Sequence, residues 1–277
     1  MRKIEMSQIA AMNISYQFFS FEYFLNSVNK IGFKNIDIWT GYPHLLLDED
    51  YESKCSNIFA KCKEKGLHIS NITPKVIGWP FNIADKNKKI RNKAIEYLKR
   101  GINAAIILEA PSIQLVSGTG LYDESKDEAW KRSRDSLREI ADYAEEKGKQ
   151  LYLEPIQIVE SNLVCNKIDL RKMLEEVDSP ILNAVVDTTH MEKNLESLDE
   201  YFDYLGKKIG FIHLNESDQL PWGEGNSPIN VYLKQLNKYK YQGSITIEIC
   251  SKMHYLNPDY AMKKTYNFIQ DAISRQL

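Results

Sequence analysis

Short apolar runs of four to six residues alternate along this chain with longer stretches in which apolar side chains return every third or fourth position. The two periods assign strands and helices in turn. Ile4 to Met12, Asn35 to Trp39 and Leu67 to Ile72 read as the first three strands. Helical spacing covers an aromatic segment around Phe21 to Leu25 that ends near Gly32, and a segment from about Glu49 to Lys65 that closes at Gly66. A third helix starts at Asp85, a good N-cap, and carries Ile90, Ala94, Ile95, Leu98 and Ile102 on one face. Ser112 to Val116 is the fourth strand, with Ala104 to Leu108 as a competing choice, and a long charged helix from about Ser125 to Lys147 ends at Gly148.

In the second half the strands share a feature. Leu151-Tyr152-Leu153 runs into Glu154 and Pro155, a residue that cannot continue a central strand. Asn183-Ala184-Val185-Val186 runs into Asp187, Gly210-Phe211-Ile212 into His213, and Ser244-Ile245-Thr246-Ile247 into Glu248. Those four end residues are 33, 26 and 35 positions apart, close to the roughly 30 residues per βα unit of a (β/α)8 barrel. Helices near Ile168 to Val177, Leu198 to Leu205, Pro228 to Tyr239 and Pro258 to Ile273 complete eight alternations. Without a Gly/Ser-rich linker, the reading is an α/β chain forming one TIM-barrel domain over residues 1–277.

Parallel barrel strands deliver their carboxyl ends to one face, so Glu154, Asp187, His213 and Glu248 are expected to meet at one mouth. A lone carboxylate after a strand is most often a helix cap. Three of them with an imidazole on consecutive strands repel one another unless a cation neutralises them. One divalent ion is the implied cofactor: manganese, magnesium or cobalt suits the oxygen-rich set, with zinc as the softer alternative.

Composition narrows the class. Hydrophobic residues make up 43% and charged residues 27%, with a formal charge of −2, which argues against disorder and against binding nucleic acid. No apolar run has the length of a membrane span or a secretory signal, so no membrane partner is expected. The four cysteines, Cys55, Cys62, Cys165 and Cys250, make no CxxC pair and suit reduced thiols in a cytoplasm.

The order Glu154, Asp187-Thr188-Thr189-His190, His213-Leu214-Asn215-Glu216, Pro221-Trp222-Gly223-Glu224-Gly225 and Ile247-Glu248 resembles the xylose-isomerase-like barrels of sugar isomerases and epimerases. The spacings of Glu154 to Glu160 and Asp187 to His190 are similar to those of the ketose 3-epimerases that act on tagatose and psicose. The segments Ile36 to His44, Thr73-Pro74 with Gly78 to Asn82, and Glu154-Pro155 with Glu160 to Asn166 are similar to the fructoselysine 3-epimerases. Two departures stand out. The ketose 3-epimerases place an arginine where this chain has Gln219, and the fructoselysine enzymes lack the histidine found here as His190.

The resemblance implies a cytoplasmic, metal-dependent epimerase that inverts C3 of a ketose or ketosamine through an enediolate. Glu154 and Glu248 are then metal ligands with Asp187 and His213, and also the two acid-base groups. Glu160 and His190 are expected to bind the sugar's O1 or O2 end. Trp39, His44, Trp79, Phe81, Asn82 and Trp222 are expected to frame the sugar, and Glu216 to support a ligand from behind. The resemblance also implies a dimer or tetramer. An aldose-ketose isomerase on the same metal site and a non-catalytic sugar-binding barrel are the alternatives. The apurinic endonucleases on this barrel need more histidines than the five here.

Overall fold

The computed structural model describes residues 3–77 and 80–275. Eight parallel strands close into a ring in which each pairs with its successor and the last with the first. They are β1 (Ile9–Met12), β2 (Asn35–Trp39), β3 (His68–Thr73), β4 (Ser112–Val116), β5 (Gln150–Glu154), β6 (Leu182–Asp187), β7 (Ile209–His213) and β8 (Ser244–Ile247). The first strand is shorter than its apolar run suggests. Glu5 and Gln8 exchange side-chain and backbone hydrogen bonds and close a 3-10 turn over Met6–Gln8, so pairing starts only at Ile9.

Nine α-helices occur among the described residues: α1 (Phe21–Ile31), α2 (Tyr51–Glu64), α3 (Lys88–Ile107), α4 (Lys126–Glu146), α5 (Lys167–Val177), α6 (Thr188–Lys193), α7 (Leu198–Leu205), α8 (Ile229–Lys238) and α9 (Pro258–Ser274). Polar caps set most of their starts. Ser20, Ser125, Asn166, Ser197 and Asn257 each accept a backbone N–H of the first turn. Asn87, not Asp85, caps α3, because the Asp85 carboxylate is occupied two residues earlier by the N–H of Asn87 at 2.7 Å. The competing strand at Ala104 to Leu108 is the end of α3, whose Ala94, Leu98, Ile102 and Ala105 are buried against the ring.

Inside the ring the packing is partly polar. Tyr152 stacks on Phe211 at 5.6 Å, and Gly210 must be glycine because a Cβ there would lie 2.2 Å from the Tyr152 ring. Above this pair, Thr246 and Thr73 donate to the two carboxylate oxygens of fully buried Asp37 at 3.1 and 2.8 Å, and Asn71 adds a third donor at 3.2 Å. Burial pushes the Asp37 carboxyl up in spite of these bonds.

One irregularity in the ladder sets the relation between two of the strand ends. The register of β6 against β7 slips between Ala184 and Val185, so that Asp187 stands opposite His213 instead of one residue short of it. An extra residue of this kind re-aims the side chains beyond it.

Candidate functional site

Glu154, Asp187 and His213 terminate β5, β6 and β7, and Glu248 follows β8 by one residue. The ring brings these four together. His213 Nδ1 lies 3.0 Å from Glu154 Oε1, 3.5 Å from Asp187 Oδ2 and 3.5 Å from Glu248 Oε2. One ligand atom from each of Asp187, His213 and Glu248 lies within 4.8 Å of the others, and Glu154, Asp187 and His190 form a second such group. His190 therefore stands beside the same carboxylates.

Neutral amides hold the carboxylates. Gln114, on β4, donates to Glu154 Oε2 at 2.5 Å. Asn215 donates to Asp187 Oδ2 at 2.7 Å and more weakly to Glu248 Oε2 at 3.4 Å, while its own carbonyl accepts the N–H of Glu248 at 2.9 Å. Gln219 donates to Glu248 Oε2 at 2.9 Å. Asp187 is also the N-cap of α6, its Oδ1 accepting from Thr189 and His190 N–H at 2.6 and 3.1 Å. Among the described residues no Lys or Arg side chain pairs with Glu154, Asp187 or Glu248.

The consequence is electrostatic. Burial pushes the Glu248 carboxyl up to about 7, and the neighbouring Asp187 and Glu154 push the same way. Burial would depress the His213 imidazole, but Glu154, Asp187 and Glu248 outweigh it and hold it well above the usual histidine range. His190 follows the same balance, raised by Asp187, Glu154, Glu160 and Glu248 against burial. Asp187 is held low although burial opposes this, because His190, His213 and the helix N–H groups favour its charged form.

Whether a metal ion fits can be read from unmet bonding capacity. Glu154 Oε1, Glu160 Oε2, His190 Nδ1 and both nitrogens of His213 are buried and lack a hydrogen-bond partner. The contacts of His213 Nδ1 to three carboxylate oxygens are close but none is aligned as a hydrogen bond. Three carboxylate oxygens around a buried imidazole nitrogen, with no Lys or Arg paired to them among the described residues, make a donor set that fits a divalent ion.

The remaining sequence candidates divide. Glu160 and His190 face this cluster, and burial raises the Glu160 carboxyl while His190 partly opposes it. Trp39, at the end of β2, is buried with the Lys75 ammonium 5.3 Å from its ring centroid. His44 is committed to the fold, with Nδ1 2.7 Å from Asn13 Nδ2 and Nε2 2.9 Å from the Phe19 carbonyl. Asn82 spends its amide on the neighbouring loop, accepting from Ala84 and Thr119 N–H and donating to the Thr119 carbonyl. Phe81 stacks on Tyr97 at 4.0 Å. Trp222 is wholly buried, donates to the Leu214 carbonyl at 3.0 Å and stacks on Phe268 of α9, so it lies behind the barrel wall. Trp79 lies outside the described residues.

Glu216 makes no bond to a proposed ligand. It accepts the N–H groups of Ser217, Gly223 and Ser227 and so fastens the loop after β7. Gly225 packs against it so closely that a Cβ would lie 2.7 Å from the carboxylate. Residue patterns missed Gln114 and Asn215. Their only signals were a polar residue inside an apolar strand run and a polar neighbour two positions after His213.

A family model described as the xylose isomerase-like TIM barrel matches residues 25–272. The chain is 29% identical over 234 residues to the fructoselysine 3-epimerase of Shigella flexneri, covering 82% of this chain and 84% of that one. Among solved structures, 3-keto-D-glucoside 4-epimerase from E. coli superposes with a TM-score of 0.81 at 20% identity, covering 95% and 99% of the two chains. D-psicose 3-epimerase from Clostridium cellulolyticum H10, solved with D-tagatose, superposes with a TM-score of 0.79 at 19% identity, covering 97% of each. At these identities the structural likeness speaks to the fold.

Proposed function

The chain belongs to the xylose isomerase-like TIM-barrel family, and on that premise we propose that it is a divalent-metal-dependent sugar epimerase inverting C3 of a ketose or ketosamine. It is an enzyme of the isomerase class that acts on sugars. The observation that carries the finer reading is the cluster of buried, unpartnered acid and imidazole atoms at the ends of β5 to β8.

Glu154, Asp187, His213 and Glu248 would hold the ion. Once bound, it supplies a Lewis acid beside the substrate carbonyl. Epimerisation removes the C3 proton, the C–H electron pair moves toward the adjacent C2 carbonyl, and a proton returns to the opposite face. Glu248 is suited to one transfer because its Oε1 accepts, among the described residues, only a weak hydrogen bond from the Cys250 thiol at 3.5 Å. Glu154 takes the other through Oε1, since its Oε2 is held by Gln114. Glu160 Oε2 and His190 Nδ1 then take the hydroxyls at the C1–C2 end, which gives two unpartnered atoms their bonds.

No helix among the described residues is long and apolar enough to cross a membrane, and all four cysteines are free thiols. A cytoplasmic place of action, without nucleic-acid or membrane partners, and assembly as a dimer or tetramer are part of the proposal.

Incubating the manganese-loaded protein in heavy water with tagatose, psicose, fructose and fructoselysine tests it by NMR. Deuterium at C3, with appearance of the epimer, is the expected outcome. Exchange with none of them overturns the proposal. Label at C1 with aldose formation, or at C4, assigns a different isomerase reaction.

A further inference from the structure

The loop after β7 contains a costly piece of backbone. Asp218 and Gln219 are consecutive residues with φ of +54° and +51°, neither of them glycine. Left-handed backbone of this kind is strained for a side chain other than glycine. The loop is over-determined around them. Glu216 gathers the N–H groups of Ser217, Gly223 and Ser227, and Lys193 of α6 pairs with Asp218 at 2.5 Å.

What the two left-handed residues achieve is the placement of Gln219. Its carbonyl accepts the N–H of Cys250 at 3.2 Å, and its side-chain amide donates to Glu248 Oε2 at 2.9 Å. One residue thus grips the segment after β8 twice, by backbone and by side chain. The effect on Glu248 is asymmetric. Oε2 is held by Gln219, approached by Asn215 at 3.4 Å and set 3.5 Å from His213 Nδ1. Among the described residues Oε1 accepts a hydrogen bond only from the weakly polar Cys250 thiol.

We propose that Gln219 is a positioning residue that divides the labour of the Glu248 carboxylate, fixing Oε2 toward the ion site and leaving Oε1 to carry the proton at C3. This rests on the proposed role of Glu248 as both ligand and base. A neutral amide suits the task, because it orients the carboxylate without the fixed charge that would pair with it and weaken it as a base.

Gln219→Met keeps the length of the side chain and removes the donor, Gln219→Gly accommodates the positive φ and removes the side chain, and Gln219→Arg restores a donor. Both donor-less variants are expected to lose kcat by roughly tenfold or more, the scale of a hydrogen bond to a charged group. KM and the calorimetric manganese affinity are expected to stay within about threefold of the unaltered protein, because the four ligands remain. Gln219→Arg is expected to recover part of the lost kcat. A crystal structure of metal-free Gln219→Met is expected to show the Glu248 carboxylate rotated away from His213. Unchanged kcat in Gln219→Met, a loss appearing in manganese affinity alone, or an unmoved carboxylate overturns the inference. Absence of C3 exchange in the unaltered protein overturns the assigned reaction, and the crystallographic comparison then still decides whether Gln219 sets the carboxylate.

Discussion

Glu248 and His213 meet the same neighbourhood with opposite charge types, and both are driven toward protonation in the metal-free protein. Burial with Asp187 and Glu154 lifts the Glu248 carboxyl up to about 7, and the carboxylates lift His213 well above its ordinary value. An ion can be bound only after these protons leave. The sign is therefore fixed: acidification through pH 7 adds a proton to Glu248 beside the one His213 already holds and weakens metal binding, whereas raising the pH strengthens it until both are empty. Manganese affinity by calorimetry is expected to be about tenfold or more weaker at pH 6 than at pH 7.5, with proton release seen as a buffer-dependent enthalpy. Equal affinity at the two pH values would contradict the assignment. These two residues were legible because each ends an apolar run. His44, Asn82 and Trp222 are less legible for a complementary reason: loop composition reports polar and aromatic capacity, but not the share of it that Asn13, Thr119 or the Leu214 carbonyl engages.

At the scale of the element, α6 shows how a cap and a ligand share one side chain. Asp187 closes β6 and starts α6, giving Oδ1 to the first-turn N–H groups and leaving Oδ2 to Asn215 and the ion site. The run Asp187-Thr188-Thr189-His190 thus satisfies both the ordinary reading of a carboxylate after a strand and the functional one. Asp187→Asn separates them. Asparagine caps as well as aspartate, so unfolding free energy from denaturant titration is expected to change by about 1 kcal/mol or less, while manganese affinity falls by about a hundredfold on loss of an anionic ligand. Equal affinity in the variant would remove Asp187 from the ligand set. The helix itself escaped sequence reading because six residues are too few to display a period. The register slip in β6 against β7, which aligns Asp187 with His213, leaves no trace in composition either.

For the whole molecule, the alternation of strand and helix periods was enough to specify the barrel, and the barrel was enough to specify which strand ends share a face. Ring closure, the pairing of β8 with β1, follows from eight units and needs no local signal. What the pattern could not supply was the interior hydrogen bonding that runs through Asp37, Thr73, Gln114 and Glu154, because partners there come from strands about 40 residues apart in the chain. That polar interior supports a buried carboxylate cluster with no Lys or Arg paired to it among the described residues, and the proposed chemistry requires an ion to complete it. Diffraction from manganese-soaked crystals at the manganese absorption edge measures this most directly. One anomalous peak is predicted within about 2.5 Å of oxygens from Glu154, Asp187 and Glu248 and of His213 Nδ1. No peak at the mouth, or a peak held by Glu154, Asp187 and His190 with His213 excluded, would contradict it.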